Sequence, residues 1–400
     1  MRIIAHLDMD AFFAAIEERN NPQFAGLGIV VGADPKNGIG RGVVSTANYQ
    51  ARKYGIHSAM PISQAFRLAQ AALKRGNPET IFLPVNGAYY SRVSQKIMEI
   101  IQRYVPLVEQ TSIDEAYLDL TFCADEREKH NVILVSEERA HPGSLWDSGQ
   151  ARMTITADYN KAIDLINKIK AEIASQEKLT ATVGLGSSKL IAKMASAKNK
   201  PDGLTVVIPA EVEKFLDPLP IGDIPGIGPK TEEFFHQKKI FKVADLKKIS
   251  REQLISWLGK WGADLYQKAK GIDDSAVETE REAKSISEQE TFEEDTLSGS
   301  FLIEKLNKMV ERVLERMRNE DIKGFKTVTV TVRFFDFQTI SRSHTLGEFT
   351  DKLSILKMEA LKLFLPFLDR RENPKLKPIR LIGVGVENLK RIEEESIQKR

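Results

Sequence analysis

The sequence is poor in cysteine, in histidine and in long apolar runs, and it carries almost no excess of charge. Its single cysteine, Cys123, excludes an intramolecular disulfide and any cysteine-rich zinc site, which is the usage of a reducing compartment. No run approaches the roughly 18 apolar residues that a membrane span needs, and the N-terminus enters a strand without a charged and apolar leader. A cytoplasmic protein with no membrane partner is expected. The 58 basic and 56 acidic residues leave a net charge of +2, so partners must be read from local charge. With 42% hydrophobic and 28% charged residues the composition is that of a globular protein. At about 100 to 200 residues per domain, the chain has room for about two to four domains.

What is present alternates between strand and helix patterns. RIIAHLDMD and GLGIVVGA are β-rich, and AFFAAIEERNNP between them has helical spacing that stops at Asn21-Pro22. GVVSTANYQARKYG reads as strand then helix, MPISQAFRLAQAAL as a helix begun by proline, and IFLPVNGAYYSRVSQKIMEIIQRY as strand then long helix. VPLVEQTSIDEAYLDLTF reads as two strands with a tight turn at Thr111 to Glu115. A turn-rich insertion follows over 123–157, with short strands conceivable at Val132–Val135 and Met153–Ile155. DYNKAIDLINKIKAEIASQE, LTATVGLG and SSKLIAKMASAKN then give helix, strand and Lys-rich helix, closing a first domain near Pro209. Residues 210–277 are helical, and Val277 to Ser287 reads as a linker. The remainder follows the order helix, strand, strand, helix, strand. The fold class is α/β and α+β, multidomain.

Asp8 ends the first strand, and Asp114-Glu115 occupy the hairpin turn. Neighbours on a strand point to opposite faces, so Asp114 and Glu115 can aim at one place only where the chain bends. If Asp8 joins them, each pair of charges about 4 Å apart repels by about 4 kcal/mol at an effective dielectric of 20. Such a cluster calls for a divalent cation, and hard oxygen ligands without histidine or cysteine select Mg2+ or Mn2+ over zinc. Phosphoryl transfer by two metals is the chemistry to expect. Spacing alone leaves open the plainer reading of surface acids at turns.

HLDMDAFFAAIEE, STANYQARKYGIHSAMP, TSIDEAYLDL and NKPDG, in this order, resemble the Y-family translesion DNA polymerases, in particular their bacterial DNA polymerase IV branch. KSISEQETFEEDT and IRLIGVGVENL continue the likeness. The resemblance implies a right-hand polymerase: palm 1–19 and 77–209, fingers 20–76, helix-hairpin-helix thumb 210–277, linker 278–287, C-terminal little-finger domain 288–390 and a flexible tail 391–400. It implies that Asp8, Asp114 and Glu115 are catalytic and bind two Mg2+ ions, for which Mn2+ can substitute, with the Met9 carbonyl assisting. Phe13 matches the steric gate beneath the sugar of the incoming nucleotide. Phe12 beside it is grouped with the nucleotide-binding positions, although its own pattern, like that of Asp10, reads as structural. Thr46, Tyr49 and Arg52, which a helical repeat would set on neighbouring turns, are given the triphosphate, as is Lys200 of NKPDG. The family more often carries Asp near 198 and Asn at 202, where Lys198 and Asp202 stand here. Val43, Ser45 and Ala59, the roof over the nascent base pair, are small and imply low fidelity. No unassigned domain is large enough for a proofreading exonuclease. Primer-template DNA and deoxynucleoside triphosphates are the implied partners of a monomer associated with the nucleoid.

DIPGIGPKTEEFF carries a helix-hairpin-helix signal in which Gly226 and Gly228 let the backbone approach a phosphate and Lys230 opens the next helix. Gly259 to Gly262 offers a second, weaker hairpin. Lys189, Lys193 and Lys198 form a basic helix, and Lys323, Lys326, Arg333, Arg342 and His344 stud the last domain, whose TVTVTVRF alternation leaves one sheet face for DNA. These features alone would also suit a non-catalytic DNA-binding protein, and a nucleotidyl transferase restricted to one base is a third reading. A sliding clamp is a partner by resemblance only, since RIEEESIQKR contains no clamp-binding peptide.

Overall fold

The structure, a computed structural model, describes residues 2–124, 150–279 and 282–391. It divides into two compact units: Met1–Ala33, Val43–Met60 and Gln64–Glu280 in the first, and Asp34–Gly42, Pro61–Ser63 and Arg281–Arg400 in the second. Among the described residues no helix is long and apolar enough to cross a membrane.

The chain begins with β1 (Ile4–Met9), α1 (Phe12–Asn20), β2 (Gly28–Gly32), β3 (Val44–Ala47), α2 (Tyr49–Lys53), α3 (Ile62–Lys74) and β4 (Thr80–Pro84). It continues through α4 (Gly87–Gln102), β5 (Val108–Gln110), β6 (Glu115–Asp119), α5 (Gln150–Glu177), β7 (Ala181–Gly186), α6 (Lys189–Ser196) and β8 (Leu204–Val206). Five strands form a sheet in the order β5-β6-β1-β7-β8, antiparallel except for the β7–β8 pair. Strand β1 lies at its centre, and its alternation explains why. Ala5, Leu7 and Met9 enter a core with Tyr90, Val93 and Ile97 of α4 and Tyr159, Ile166 and Ile173 of α5. Ile4 and His6 face the other way, toward Ala192 and Ser196 of α6. Helix α6 lies close on the sheet because β7 carries glycine there. A Cβ on Gly184 would sit 2.1 Å from the Ala192 carbonyl oxygen. In a smaller sheet, β3-β2-β4, helix α2 packs against β2 and β3.

Short helices follow: α7 (Val212–Leu216), α8 (Pro229–Gln237), α9 (Val243–Leu246), α10 (Arg251–Leu258) and α11 (Lys260–Ala269). They close on their own core of Leu216, Phe235, Leu246, Leu254 and Leu265.

The second unit holds β9 (Ser285–Thr296), α12 (Gly299–Asn319), β10 (Ile322–Phe334), β11 (Thr339–Thr350), α13 (Leu353–Phe364), β12 (Ile379–Glu387) and β13 (Lys390–Arg391). Its antiparallel sheet runs β11-β10-β12-β9, with β13 against the start of β10. Val328, Val330 and Val332 of β10 and Ile382, Val384 and Val386 of β12 are buried with Leu306, Val313 and Met317 of α12 and Leu356 and Phe364 of α13. Each such side chain contributes about 1.5 to 3 kcal/mol relative to exposure.

Three expectations are corrected here. Met153 to Ile155 lie within helix α5, not in a strand, while Val132–Val135 fall outside the described residues. The proposed linker is partly structured: Val277 is buried against Ile4, Tyr117 and Ala192, and β9 begins at Ser285. Strand β9 is highly charged and has only Ile286 and Phe292 fully buried, so its order comes from backbone pairing to β12 rather than from apolar alternation. Thr46 lies on β3, paired with Val31, and not on the helix that carries Tyr49 and Arg52. The β-branched Val43-Val44 pair favours a strand, and Asn48 starts the helix anew. Residues 392–400 of the tail lie outside the described residues.

Candidate active site

Strands β1 and β6 are antiparallel neighbours, and their register sets Asp8 directly opposite Glu115. The turn before β6 is built by Ser112, whose hydroxyl receives the Glu115 amide at 3.1 Å and donates to Asp114 Oδ1 at 2.6 Å. The Met9 amide donates to the Asp114 carbonyl at 3.0 Å, which clips the turn to the end of β1. Backbone pairing, rather than any attraction between the acids, therefore brings Asp8, Met9, Asp114 and Glu115 to one corner of the sheet.

Each of the two facing carboxylates has an ammonium partner. Lys200 Nζ stands 2.6 Å from Asp8 Oδ1, and Lys193 Nζ stands 2.7 Å from Glu115 Oε2. His6, fully buried, lies 3.6 Å from the same Glu115 oxygen and shares a 2.7 Å hydrogen bond between Nδ1 and Ser196 Oγ. Burial pushes the Asp8 carboxyl up to about 6, with Lys200 pulling against it and Glu115 and Asp114 adding to it. Glu115 moves the opposite way: His6 and Lys193 hold it well below the ordinary carboxylate range. Burial lowers the His6 imidazole.

Among the described residues no three acidic, histidine or cysteine side chains close on a single point as a metal cage. Asp114 is turned to Ser112, and lysines face the other two acids. The donor set nevertheless fits a hard divalent cation. It offers carboxylate and carbonyl oxygens only, and two ammonium groups already stand where positive charge is wanted.

Phe13 is half-buried and stacks on Tyr90, ring centroids 4.4 Å apart. Phe12 is a correction. Only 1% exposed, it belongs to the core and has no surface to offer a nucleotide. Tyr49 and Arg52 are adjacent on α2, with the guanidinium 4.9 Å from the phenol ring centroid. The helix is seated by Asn48. Its side-chain oxygen receives the Ala51 and Ile29 amides, both at 2.9 Å, and its amide donates to the Leu27 carbonyl at 2.8 Å. Val43, Ser45 and Ala59 come together because the Ala59 amide donates to the Val44 carbonyl at 2.9 Å.

A cleft of about 320 Å³ separates Asp8, Glu115, Lys193 and Lys200 from the loop Gly222 to Ile227. Gly226 turns that loop at φ 103°, and Gly228 caps α8, where Lys230 is exposed. The basic helix is a second correction. Lys189 is engaged with Glu109 at 2.6 Å, Lys193 with Glu115 and Lys198 with Asp223 at 3.2 Å, so none points outward as an uncommitted cation. A third concerns the last domain. Arg333 shares the face of Thr327, Thr329 and Thr331, but Arg342 pairs with Val330 and His344 with Val328, which puts both on the helix-covered side. There they meet Glu372 at 2.6 Å and Glu359 at 2.7 Å.

Sequence reasoning missed His6, Ser196 and the engagement of Lys193. The signal was the even-numbered face of β1, which carries His6 in line with Asp8.

A mainly antiparallel sheet with carboxylates opposed at its strand ends, lysines beside them and a helix-hairpin-helix loop across the cleft is the architecture of a nucleotide-polymerising palm with a DNA-gripping module. Residues 7–197 match the impB/mucB/samB family, residues 283–400 its C-terminal domain and residues 209–240 the IMS family HHH motif. DNA polymerase IV of Methanoculleus marisnigri is 41% identical over 388 residues, covering 97% of this chain and 94% of that protein. DNA polymerase IV of Streptococcus mutans is 35% identical over 396 residues, covering 99% and 95%. A Y-family DNA polymerase chimera of Dbh and Dpo4 superimposes with a TM-score of 0.76 at 27% identity, over 97% of this chain and 99% of the chimera. DinB from Sulfolobus solfataricus gives 0.58 at 28% identity, with the same coverage of 97% and 99%. The chain belongs to the impB/mucB/samB family, the Y-family DNA polymerases. The activity of that family is template-directed, low-fidelity DNA synthesis across lesions, metal-dependent and without a proofreading exonuclease.

Proposed function

We propose that this chain extends a primer on damaged templates from a catalytic set of Asp8, Asp114 and Glu115. The observation that carries the reading is the register that opposes Asp8 to Glu115. Two divalent cations, Mg2+ with Mn2+ as a substitute, would be held by these carboxylates and the Met9 carbonyl and would supply stabilisation of the attacking and leaving oxygens. The chain's own side chains do the rest. Lys200, now donating to Asp8, can exchange that carboxylate for a triphosphate oxygen and so carry positive charge to the leaving group. Tyr49 and Arg52, with Thr46 on the neighbouring strand, complete the triphosphate cradle. Phe13, braced by Tyr90, would exclude a ribose 2′-hydroxyl by contact. Val43, Ser45 and Ala59 would roof the base pair without pressing on it.

In this reading residues 1–19 and 77–209 form the palm, 20–76 the fingers, 210–277 the thumb and the unit around β9 to β12 the little finger. Gly226, Gly228 and Lys230 would hold duplex phosphates, and Arg333 would hold them from the open face of the last sheet. Lys189, Lys193 and Arg342, engaged with Glu109, Glu115 and Glu372, are withdrawn from that set. The enzyme acts as a monomer at the nucleoid, and a sliding clamp is a partner on the strength of family membership alone.

The test is primer extension with all four deoxynucleotides. Asp114→Ala and Glu115→Ala should each abolish extension while leaving primer-template affinity in place. Extension that survives in both variants would overturn the assignment.

A further inference from the structure

Asp10 lies two residues beyond Asp8, and nothing in the catalytic reading uses it. Its side chain is 4% exposed. A carboxylate so deeply buried is costly unless its oxygens are hydrogen-bonded, and here both are bonded twice. Oδ1 receives the Tyr49 hydroxyl at 3.1 Å and the Thr182 hydroxyl at 2.8 Å. Oδ2 receives the Thr180 hydroxyl at 2.9 Å and the Asp202 backbone amide at 2.8 Å. The Asp10 amide in turn donates to the Thr180 carbonyl at 3.0 Å.

These donors come from separate parts of the chain. Tyr49 opens helix α2, Thr180 and Thr182 frame the start of β7, and Asp202 closes the turn that begins at Lys200. The turn is held from its other side by Lys170, which donates to the Asp202 carbonyl at 2.7 Å. Asp10 is also fixed at its own end. Ala11 follows in the left-handed region at φ 46°, a conformation that a non-glycine residue keeps only when its surroundings enforce it. Burial, and after it the charge of Asp10, keeps the Tyr49 phenol protonated, so it remains a donor.

We propose that Asp10 is the positioning residue of the nucleotide site, fixing Tyr49 and the Lys200–Asp202 turn relative to each other so that both meet one triphosphate. The inference rests on the assignment of Tyr49 and Lys200 to the triphosphate. Asp10 touches no reacting atom in this scheme. Its effect is on the geometry of the groups that do, where a displacement of about 1 Å can cost about 100-fold in rate.

The experiment is steady-state single-nucleotide incorporation by the full chain, with primer-template affinity and thermal melting measured alongside. Asp10→Ala is expected to raise KM for the incoming deoxynucleotide about 10-fold or more while DNA affinity changes less than about twofold, a split that general loosening of the fold would not give. Asp10→Asn can still accept at one oxygen, and the hydroxyls can rotate to receive its amide, so about a threefold rise is expected. Tyr49→Phe should raise KM alone but add less than about twofold in the Asp10→Ala background, where the bond it removes is already broken, and add less than its separate effect in the Asp10→Asn background, where that bond is weakened. Where Asp10→Ala does not melt cooperatively, the Asp10→Asn and Tyr49→Phe pair decides. Independent, multiplying effects, or an Asp10→Asn variant with unchanged KM, would overturn the inference and leave the triphosphate assignment standing. Unchanged KM in both Tyr49→Phe and Lys200→Ala would overturn the assignment and the inference together.

Discussion

The β5-β6-β1-β7-β8 sheet of the first unit and the β11-β10-β12-β9 sheet of the second use the same period-two alternation to different ends. Helices cover both faces of the first: α4 and α5 pack on Ala5 and Leu7, and α6 packs on Ile4 and His6. Nothing polar can be displayed across it, so its chemistry is pushed to the strand ends, where Asp8 and Glu115 meet. Among the described residues, α12 and α13 pack on one face of the second sheet. Its other face presents Thr329, Thr331, Arg333, Ser341 and Ser343 in rows. One sheet concentrates function at a corner, and the other spreads it over a surface. Alternation tells which residues share a face, and the placement of helices tells what that face is for.

The largest expected effect comes from breaking the covered sheet. Gly184→Val would drive a side chain into the Ala192 carbonyl and lift α6 from β7, at a cost of about 3 kcal/mol in stability. Urea unfolding would read the loss, and primer extension should fall with it because Lys193 and Ser196 ride on that helix. At the corner itself, Phe13→Ala should raise ribonucleotide insertion relative to deoxynucleotide insertion about 100-fold, equivalent to about 2.7 kcal/mol. Unchanged sugar selectivity would remove Phe13 from the gate. On the open sheet the effects are smaller and dispersed. Arg333→Ala should weaken primer-template binding a few-fold and lower the salt slope by about one, whereas Arg342→Ala should leave both nearly unchanged. Equal losses from the two would mean that the register does not decide which arginine meets DNA.

Much of this was legible in the sequence. The strand ending in Asp8, the turn at Thr111 to Glu115 and the PGIGPK loop are local signals, each written within a dozen residues. What escaped depends on partners far along the chain. Strand β9 lacks apolar alternation and is recognisable only once β12 lies beside it. Arg342 looked like a surface cation until pairing with Val330 fixed which way it points. Lys189 and Lys193 of α6 and Lys198 just beyond it read as a basic face, yet each lies within reach of an acid from another segment. Thr46 shares a helical period with Tyr49 and Arg52, but pairing with Val31 keeps it in a strand.

Asn48 joins helix α2 to the edge of β2 through two accepted bonds and one donated bond. Aspartate there would have no hydrogen for the Leu27 carbonyl, and serine could not span both amides. The position therefore leaves mutation almost no alternatives. In a mutational survey of the chain, Asn48 would stand out as intolerant although it touches neither substrate nor reacting atom.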